Sequence, residues 1–239
     1  MSYTFVLVHG AWHGGWCWQR VADRLRGGGH TVFTPTLTGL GERSHLLRGG
    51  IDLTTHTTDI VNVMKWEGLS DVVLCGHSYG GFVISSVAEQ MASAIRSIVF
   101  LDAFVPRNGE CVLDLTGPAV QEGVRNALQR GDIAIPPRAA EAFGVNVADR
   151  AWVDRLCVGQ PIATFTDKIA LKANPSEMQL AKSYINCTED TALPHGYPWH
   201  PRLSEKLGLF RLVQVSGSHE LCFSDPARLA TAIMEAGRD

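Results

Sequence analysis

The apolar run Val72-Val73-Leu74-Cys75 passes directly into Gly76-His77-Ser78-Tyr79-Gly80-Gly81 and then into the apolar, helix-length segment Phe82 to Met91. A strand that reaches a helix through so short a turn must bend sharply. Glycines two residues either side of the serine are needed because side chains there would collide across the bend. The turn projects the Ser78 hydroxyl, and the N-terminus of the following helix favours negative charge developing beside it. A bare G-x-S-x-G pattern is often a glycine-rich turn with a bystander serine. The strand before it and the helix after it make Ser78 a candidate nucleophile.

Further short apolar runs read as buried parallel strands: Thr4 to Val8, Thr31 to Thr34, Ile98 to Leu101, Lys182 to Cys187 and Arg211 to Val215. Helical patterns lie between them, such as Trp16 to Leu25 and Thr58 to Trp66, so the expected fold class is α/β, with a doubly wound, mostly parallel sheet. From about Pro106 to Ala181 the rhythm breaks into Pro- and Gly-rich, helix-length segments without a convincing strand. A single domain spanning 1–239 is expected, with 107–181 inserted as a mainly helical cap over the carboxyl edge of the sheet, where open α/β folds bind ligands.

Composition narrows the partners. The 239 residues are 45% hydrophobic, enough for one large core, and carry a net charge of -3 without a basic run, so neither nucleic acid nor an anionic membrane is expected. Six scattered cysteines form no CxxC pair or Cys/His spacing. Free thiols in a reducing compartment, a cytoplasmic location and no metal are the expectation. The first apolar run is far too short to span a bilayer. The ligand should be a small molecule.

Acyl transfer needs two preset N–H donors for the oxyanion. Tyr79, the residue after the nucleophile, supplies one by position. The loop His9-Gly10-Ala11-Trp12-His13-Gly14-Gly15 after the first strand supplies the other, assigned to Ala11, with Gly10 allowing close backbone approach. Serine also needs a general base, and of nine histidines His219 lies on the loop after the last strand, where the order Ser, acid, His places it. His77 points away from Ser78 by its neighbour relation, and His9, His13, His45, His56, His195 and His200 read as loop, cap or polar core residues. For the acid that orients the base, Asp190 after the penultimate strand ranks first, Asp102 after the strand Ile98 to Leu101 second, and Glu189 third.

With these residues in place, Phe5 to Trp18, Gly76 to Gly81 and Cys187-Thr188-Glu189-Asp190 together resemble one branch of the α/β-hydrolase superfamily. That branch holds plant methyl salicylate esterases, hydroxynitrile lyases and bacterial carboxylesterases, some of them pyrethroid-hydrolysing. The resemblance spans nearly the whole chain and is weakest in the cap. It implies the α/β-hydrolase fold, Ser78, Asp190 and His219 as triad, and Ala11 with Tyr79 as oxyanion donors. The lyases are similar in scaffold but carry threonine where Gly10 stands, glutamate where His77 stands and lysine where Glu220 stands. Cyanide release needs a cation to hold the anion, and Glu220 would repel it. The nucleophilic aspartate of dehalogenases and epoxide hydrolases is absent too.

The expectation is a cofactor-free serine hydrolase of carboxylesterase type acting on a small apolar or aromatic ester. Gly10, Trp12, Phe104, Trp152 and Leu221 are expected to contact substrate, and Tyr79, Phe143, Phe165 and Trp199 add to the apolar inventory. The rivals are a hydroxynitrile-lyase-like enzyme, a cofactor-free oxygenase using His219 with Asp190, and a slow-turnover small-molecule receptor. A homodimer fits this branch, although no sequence feature establishes one.

Overall fold

The structure, a computed structural model, describes residues 2–189 and 199–238. Six strands form one parallel sheet, β1 (Thr4–Val8), β2 (Thr31–Phe33), β3 (Val72–His77), β4 (Ile95–Leu101), β7 (Ala181–Cys187) and β8 (Arg211–Val215), in the order β2-β1-β3-β4-β7-β8. Two further strands, β5 (Ala134–Ile135) and β6 (Gln160–Pro161), pair antiparallel as a separate ribbon. That ribbon corrects the expectation of an insertion without strands. It consists of two-residue pieces, too short to leave a periodicity in the sequence.

The inner strands β1, β3, β4 and β7 are largely buried on both faces because their side chains alternate between two apolar layers, whereas the edge strands β2 and β8 keep exposed positions. Val6, Val8, Leu74 and Phe100 pack on one side, while Phe5, Leu7, Val73, Val99 and Ile185 pack on the other. The helices that cover these faces start and stop where local chemistry dictates. After α1 (Gln19–Gly27), α2 (Leu53–Trp66) begins five residues before the expected Thr58. The reason is Asp52, whose carboxylate accepts the Thr55 N–H in a capping box. Next, α3 (Gly80–Met91) follows the β3 turn directly.

Between β4 and β7 the chain forms α4 (Pro118–Gln129), α5 (Val147–Leu156) and α6 (Ala163–Thr166) around the β5–β6 ribbon. Beyond β7 come α7 (Trp199–Leu207), α8 (Leu221–Ser224) and α9 (Pro226–Ala236). Among the described residues no helix is long and apolar enough to cross a membrane. All six cysteines are free thiols.

Candidate active site

Strand register brings the chemistry together. Val8 pairs with Gly76 and His77 pairs with Leu101, so the residues that follow leave three adjacent strands side by side at the carboxyl edge: His9-Gly10 from β1, Ser78 from β3 and Asp102 from β4. The β3 turn is fastened to the end of β4 by its backbone. Ser78 N–H donates to the Leu101 carbonyl at 3.2 Å, and the Ser78 carbonyl accepts the Phe104 N–H at 3.1 Å.

The turn has the strain the motif calls for. Ser78 sits at φ 52°, a region that costs an ordinary side chain free energy and persists only where its surroundings enforce it. The glycines enforce it by letting main chains touch. A Cβ at Gly81 would lie 1.9 Å from the Phe104 carbonyl oxygen, and one at Gly76 would lie 2.6 Å from that of Gly80. Ser78 itself remains half-buried.

On the base side the described residues bring His219 to the second-ranked carboxylate. His219 Nδ1–H donates to Asp102 Oδ2 at 2.7 Å, with both side chains buried. Asp190, ranked first as the acid, lies outside the described residues. Glu189 is engaged elsewhere, its carboxylate accepting the Ser216 hydroxyl at 3.0 Å. Asp102 adopts φ 40° at the end of β4, a left-handed conformation that aspartate tolerates better than most residues. Burial by itself would lower the His219 pKa. The hydrogen bond from His219 to Asp102, together with the charges of Asp102 and Glu220, outweighs it and raises the value above 6.5.

His77, the residue before Ser78, has work of its own. Its Nε2–H donates to the His219 carbonyl at 3.0 Å, and its ring lies 4.5 Å from the His219 ring. Burial first, then the neighbouring His219, lowers its pKa to about 4, so it is neutral. His77, His219 and Glu220 bring potential metal-ligand atoms within 4.8 Å of one another. His77 Nε2 and His219 Nδ1 already donate hydrogen bonds.

On the β1 loop, His9 receives the Leu37 N–H at Nε2 (3.1 Å) and donates from Nδ1 to the Gly10 carbonyl (2.8 Å). The Gly10–Ala11 peptide is trans, so its Ala11 N–H points opposite to that held carbonyl. Gly10 lies against the nucleophile: a Cβ there would be 3.1 Å from Ser78 Cβ and 3.1 Å from His77 Nδ1. Burial lowers the His9 pKa to about 3, which keeps the ring neutral and its tautomer constant. Tyr79, fully buried, donates its hydroxyl to His56 Nδ1 at 2.9 Å, while His56 Nε2–H donates to Thr38 O.

The expected substrate contacts separate into two groups. Trp12, at φ 65°, packs its ring 5.6 Å from Phe143 and 5.9 Å from Phe165, and Phe143 in turn lies 6.3 Å from the His219 ring. Phe104 leaves β4 beside Ser78 and packs edge-on against Phe82. Trp152 instead packs against Trp16 and Phe223, with the Arg20 guanidinium over its face. Leu221 is buried against Gly217. Both belong to the core beside α8, where the ring stack and the glycine contact satisfy them. Gln160 was not anticipated. Fully buried, it accepts the Trp12 N–H at 2.9 Å and donates to Thr164 Oγ1 at 2.7 Å, while Trp12 Nε1–H donates to the Ile135 carbonyl. A Gln 148 residues away in sequence carries no local signal for this role.

A buried serine turn, a carboxylate-bound histidine and a close-packed glycine loop at the carboxyl edge of a parallel sheet define a hydrolase-type site. The sequence matches the alpha/beta hydrolase family over residues 5–232, and the chain belongs to that family. It is 37% identical to a carbendazim hydrolyzing esterase of Nocardioides sp. (strain SG-4G), over 98% of this chain and 99% of that protein. It is 27% identical to salicylic acid-binding protein 2 of Nicotiana tabacum, over 97% and 95% of the respective chains. Among solved structures it superposes at TM-score 0.89 on an extracellular alpha/beta-hydrolase from a Paenibacillus species. The two share 33% sequence identity, with 99% of this chain and 100% of that one covered. That protein is described as sharing structural and functional homology with the tobacco salicylic acid-binding protein. The esterases and the hydrolase among these relatives support a hydrolase activity.

Proposed function

We propose that this chain is a carboxylic ester hydrolase that works through an acyl-enzyme on Ser78, with His219 as general base and Asp102 as the acid that orients it. The observation that carries the reading is the 2.7 Å bond from His219 Nδ1–H to Asp102, one residue beyond the strand end that fastens Ser78. With Nδ1 donating, Nε2 is the ring atom that takes the serine proton. Ser78 Oγ attacks the ester carbonyl as the proton passes to His219, and Asp102 stabilises the imidazolium. The imidazolium then returns the proton to the leaving alcohol. Water, deprotonated by the same imidazole, cleaves the acyl-enzyme and regenerates Ser78.

The oxyanion is held by the N–H groups of Ala11 and Tyr79. His9, through Gly10, fixes the peptide that carries the first. Segment 107–181 serves as the cap. Gln160 and Ile135 from that segment grip Trp12, and Trp12, Phe143 and Phe165 form an apolar wall suited to a small aromatic or aliphatic ester. Carbendazim belongs on the substrate panel because the 37%-identical relative is named for hydrolysing it. Cyanohydrin cleavage is disfavoured by Glu220, a buried carboxylate beside the base where an anion would have to rest. Alanine at Ser78 is expected to abolish turnover of a p-nitrophenyl acyl ester, and near-normal turnover would overturn the assignment.

A further inference from the structure

Behind His219 lie two ionisable residues that the acyl-transfer scheme leaves unused. Glu220, 2% exposed, follows the base directly, and His13, 3% exposed, lies in the oxyanion loop two residues after Ala11. His13 Nδ1–H donates to the Ala11 carbonyl at 2.7 Å, and its Nε2 lies 3.6 Å from Glu220 Oε1. The ring lies 5.4 Å from Trp16, tilted to it, and stacks against Phe223 at 6.1 Å. The other Glu220 oxygen accepts the Cys222 thiol at 3.4 Å. His13 Nε2 has no hydrogen-bond partner among the described residues, so the pair meets through charge rather than through a closed hydrogen bond.

A carboxylate buried this deeply persists only with a compensating cation. The groups facing Glu220 are His13, His77, His219 and Cys222. His77 is neutral, its pKa lowered to about 4, and burial pushes the Cys222 thiol well up, so neither supplies the charge. His219 must itself be neutral to act as base. That leaves His13. Burial would lower its pKa, but Glu220 outweighs that and raises it well above 6.5, with Cys157 and Cys17 contributing in the same direction. The groups around His219 are Asp102, Glu220, His13 and His77, and the nearby Cys187 thiol is held neutral by burial.

We propose that Glu220 and His13 form a buried positioning pair. It ties the oxyanion loop to the base loop and holds a second carboxylate against His219, so that the base and the oxyanion donor are set in register by one contact. The proposal rests on the esterase reading of Ser78 and His219. A buried ion pair is a poor device for stability, because apolar residues of similar size serve as well. Its value here is directional. Glu220 favours the imidazolium that forms when Ser78 attacks, while His13 keeps Glu220 charged and anchors the peptide next to Ala11.

The test is the rate of Ser78 labelling by a fluorophosphonate as a function of pH, which needs no knowledge of the substrate. In Glu220→Gln the acid limb should move to lower pH by about half a unit to one unit, and the plateau rate should fall about tenfold. Glu220→Asp should keep the wild-type limb. Should Glu220→Gln fail to fold, the double variant His13→Gln, Glu220→Gln leaves no unpaired charge and should show the same displaced limb. A limb superimposable on wild type in Glu220→Gln, or in the double variant if only that one folds, overturns the pair. In the unaltered protein the His13 ring should read as imidazolium by nitrogen NMR at neutral pH, and a neutral ring overturns it independently. Absence of any labelling in the wild type would instead overturn the esterase reading.

Discussion

The strand ends and the insertion above them are built by different means. At the carboxyl edge of β1, β3 and β4 the geometry is held by main chain against main chain. Ser78 and Asp102 adopt positive φ, Ser78 N–H is bound by the Leu101 carbonyl, and glycines sit where a single Cβ would strike a carbonyl oxygen. In the insertion the strands are two residues long, and the contacts that matter are side chains reaching across long sequence separations, as Gln160 does to Trp12. On the proposed reading, the reacting groups are set by backbone pairing, which tolerates little, whereas the substrate wall is set by side-chain packing, which can be altered without disturbing the chemistry.

That contrast can be broken in four places. The largest effect is expected at Asp102. Asp102→Asn keeps the shape but removes the charge that orients His219, and kcat should fall by about 10³-fold to 10⁴-fold. Glu189→Gln should stay within about twofold, because that carboxylate meets Ser216 rather than the base. A loss smaller than that at Asp102, about 10²-fold in kcat, is expected for Gly10→Thr. The new Cβ would press on Ser78 Cβ and His77 Nδ1 at 3.1 Å and displace the Ala11 peptide. Gln160→Ala should raise KM about five-fold and leave kcat within about threefold, since it frees Trp12 without touching the reacting atoms. Equal losses in kcat for Gln160→Ala and Gly10→Thr would erase the distinction between the two regions.

The subtlest effect is on stability. His9, His56 and His77 are neutral in the folded chain, with pKa values lowered to about 3, 4 and 4 by burial, against an ordinary 6.5. The unfolded chain therefore takes up protons that the folded chain refuses. The stability these groups provide is complete above pH 6.5 and drains away as pH falls towards their folded values. Each contributes up to roughly 1.4 kcal/mol per pH unit in that window. His13 and His219, whose values are raised, are protonated in both states there and do not oppose the trend. The thermal midpoint should drop steeply from pH 6.5 to about 4, and His56→Gln should flatten the slope. An unchanged slope would contradict the assignment of these rings as neutral.

Much of this was readable from the chain. The β3 turn, the alternating strands and the loop around Gly10 announce themselves because each depends on short-range chemistry: a strand before, a glycine where no Cβ fits, a helix after. The proposed acid was harder to place. Asp102 and Asp190 both follow apolar strands, and only the register of His77 with Leu101 puts Asp102 beside Ser78 and within reach of His219. The β5–β6 ribbon, the Gln160 clamp and the turning of Trp152 towards Trp16 and Phe223 depend on contacts between segments far apart, and no periodicity encodes them. His13 read singly as a loop, cap or polar core residue and Glu220 as the residue standing where the lyases carry lysine, and their pairing exists only in three dimensions.

The central claim is that Ser78 is the nucleophile of an acyl-transfer site. Its most direct test is intact-mass analysis of the protein after reaction with a fluorophosphonate, followed by peptide mapping. One adduct per chain, mapped to Ser78 and absent in Ser78→Ala, is the expected result. An unmodified chain, or an adduct on any other residue, would contradict it.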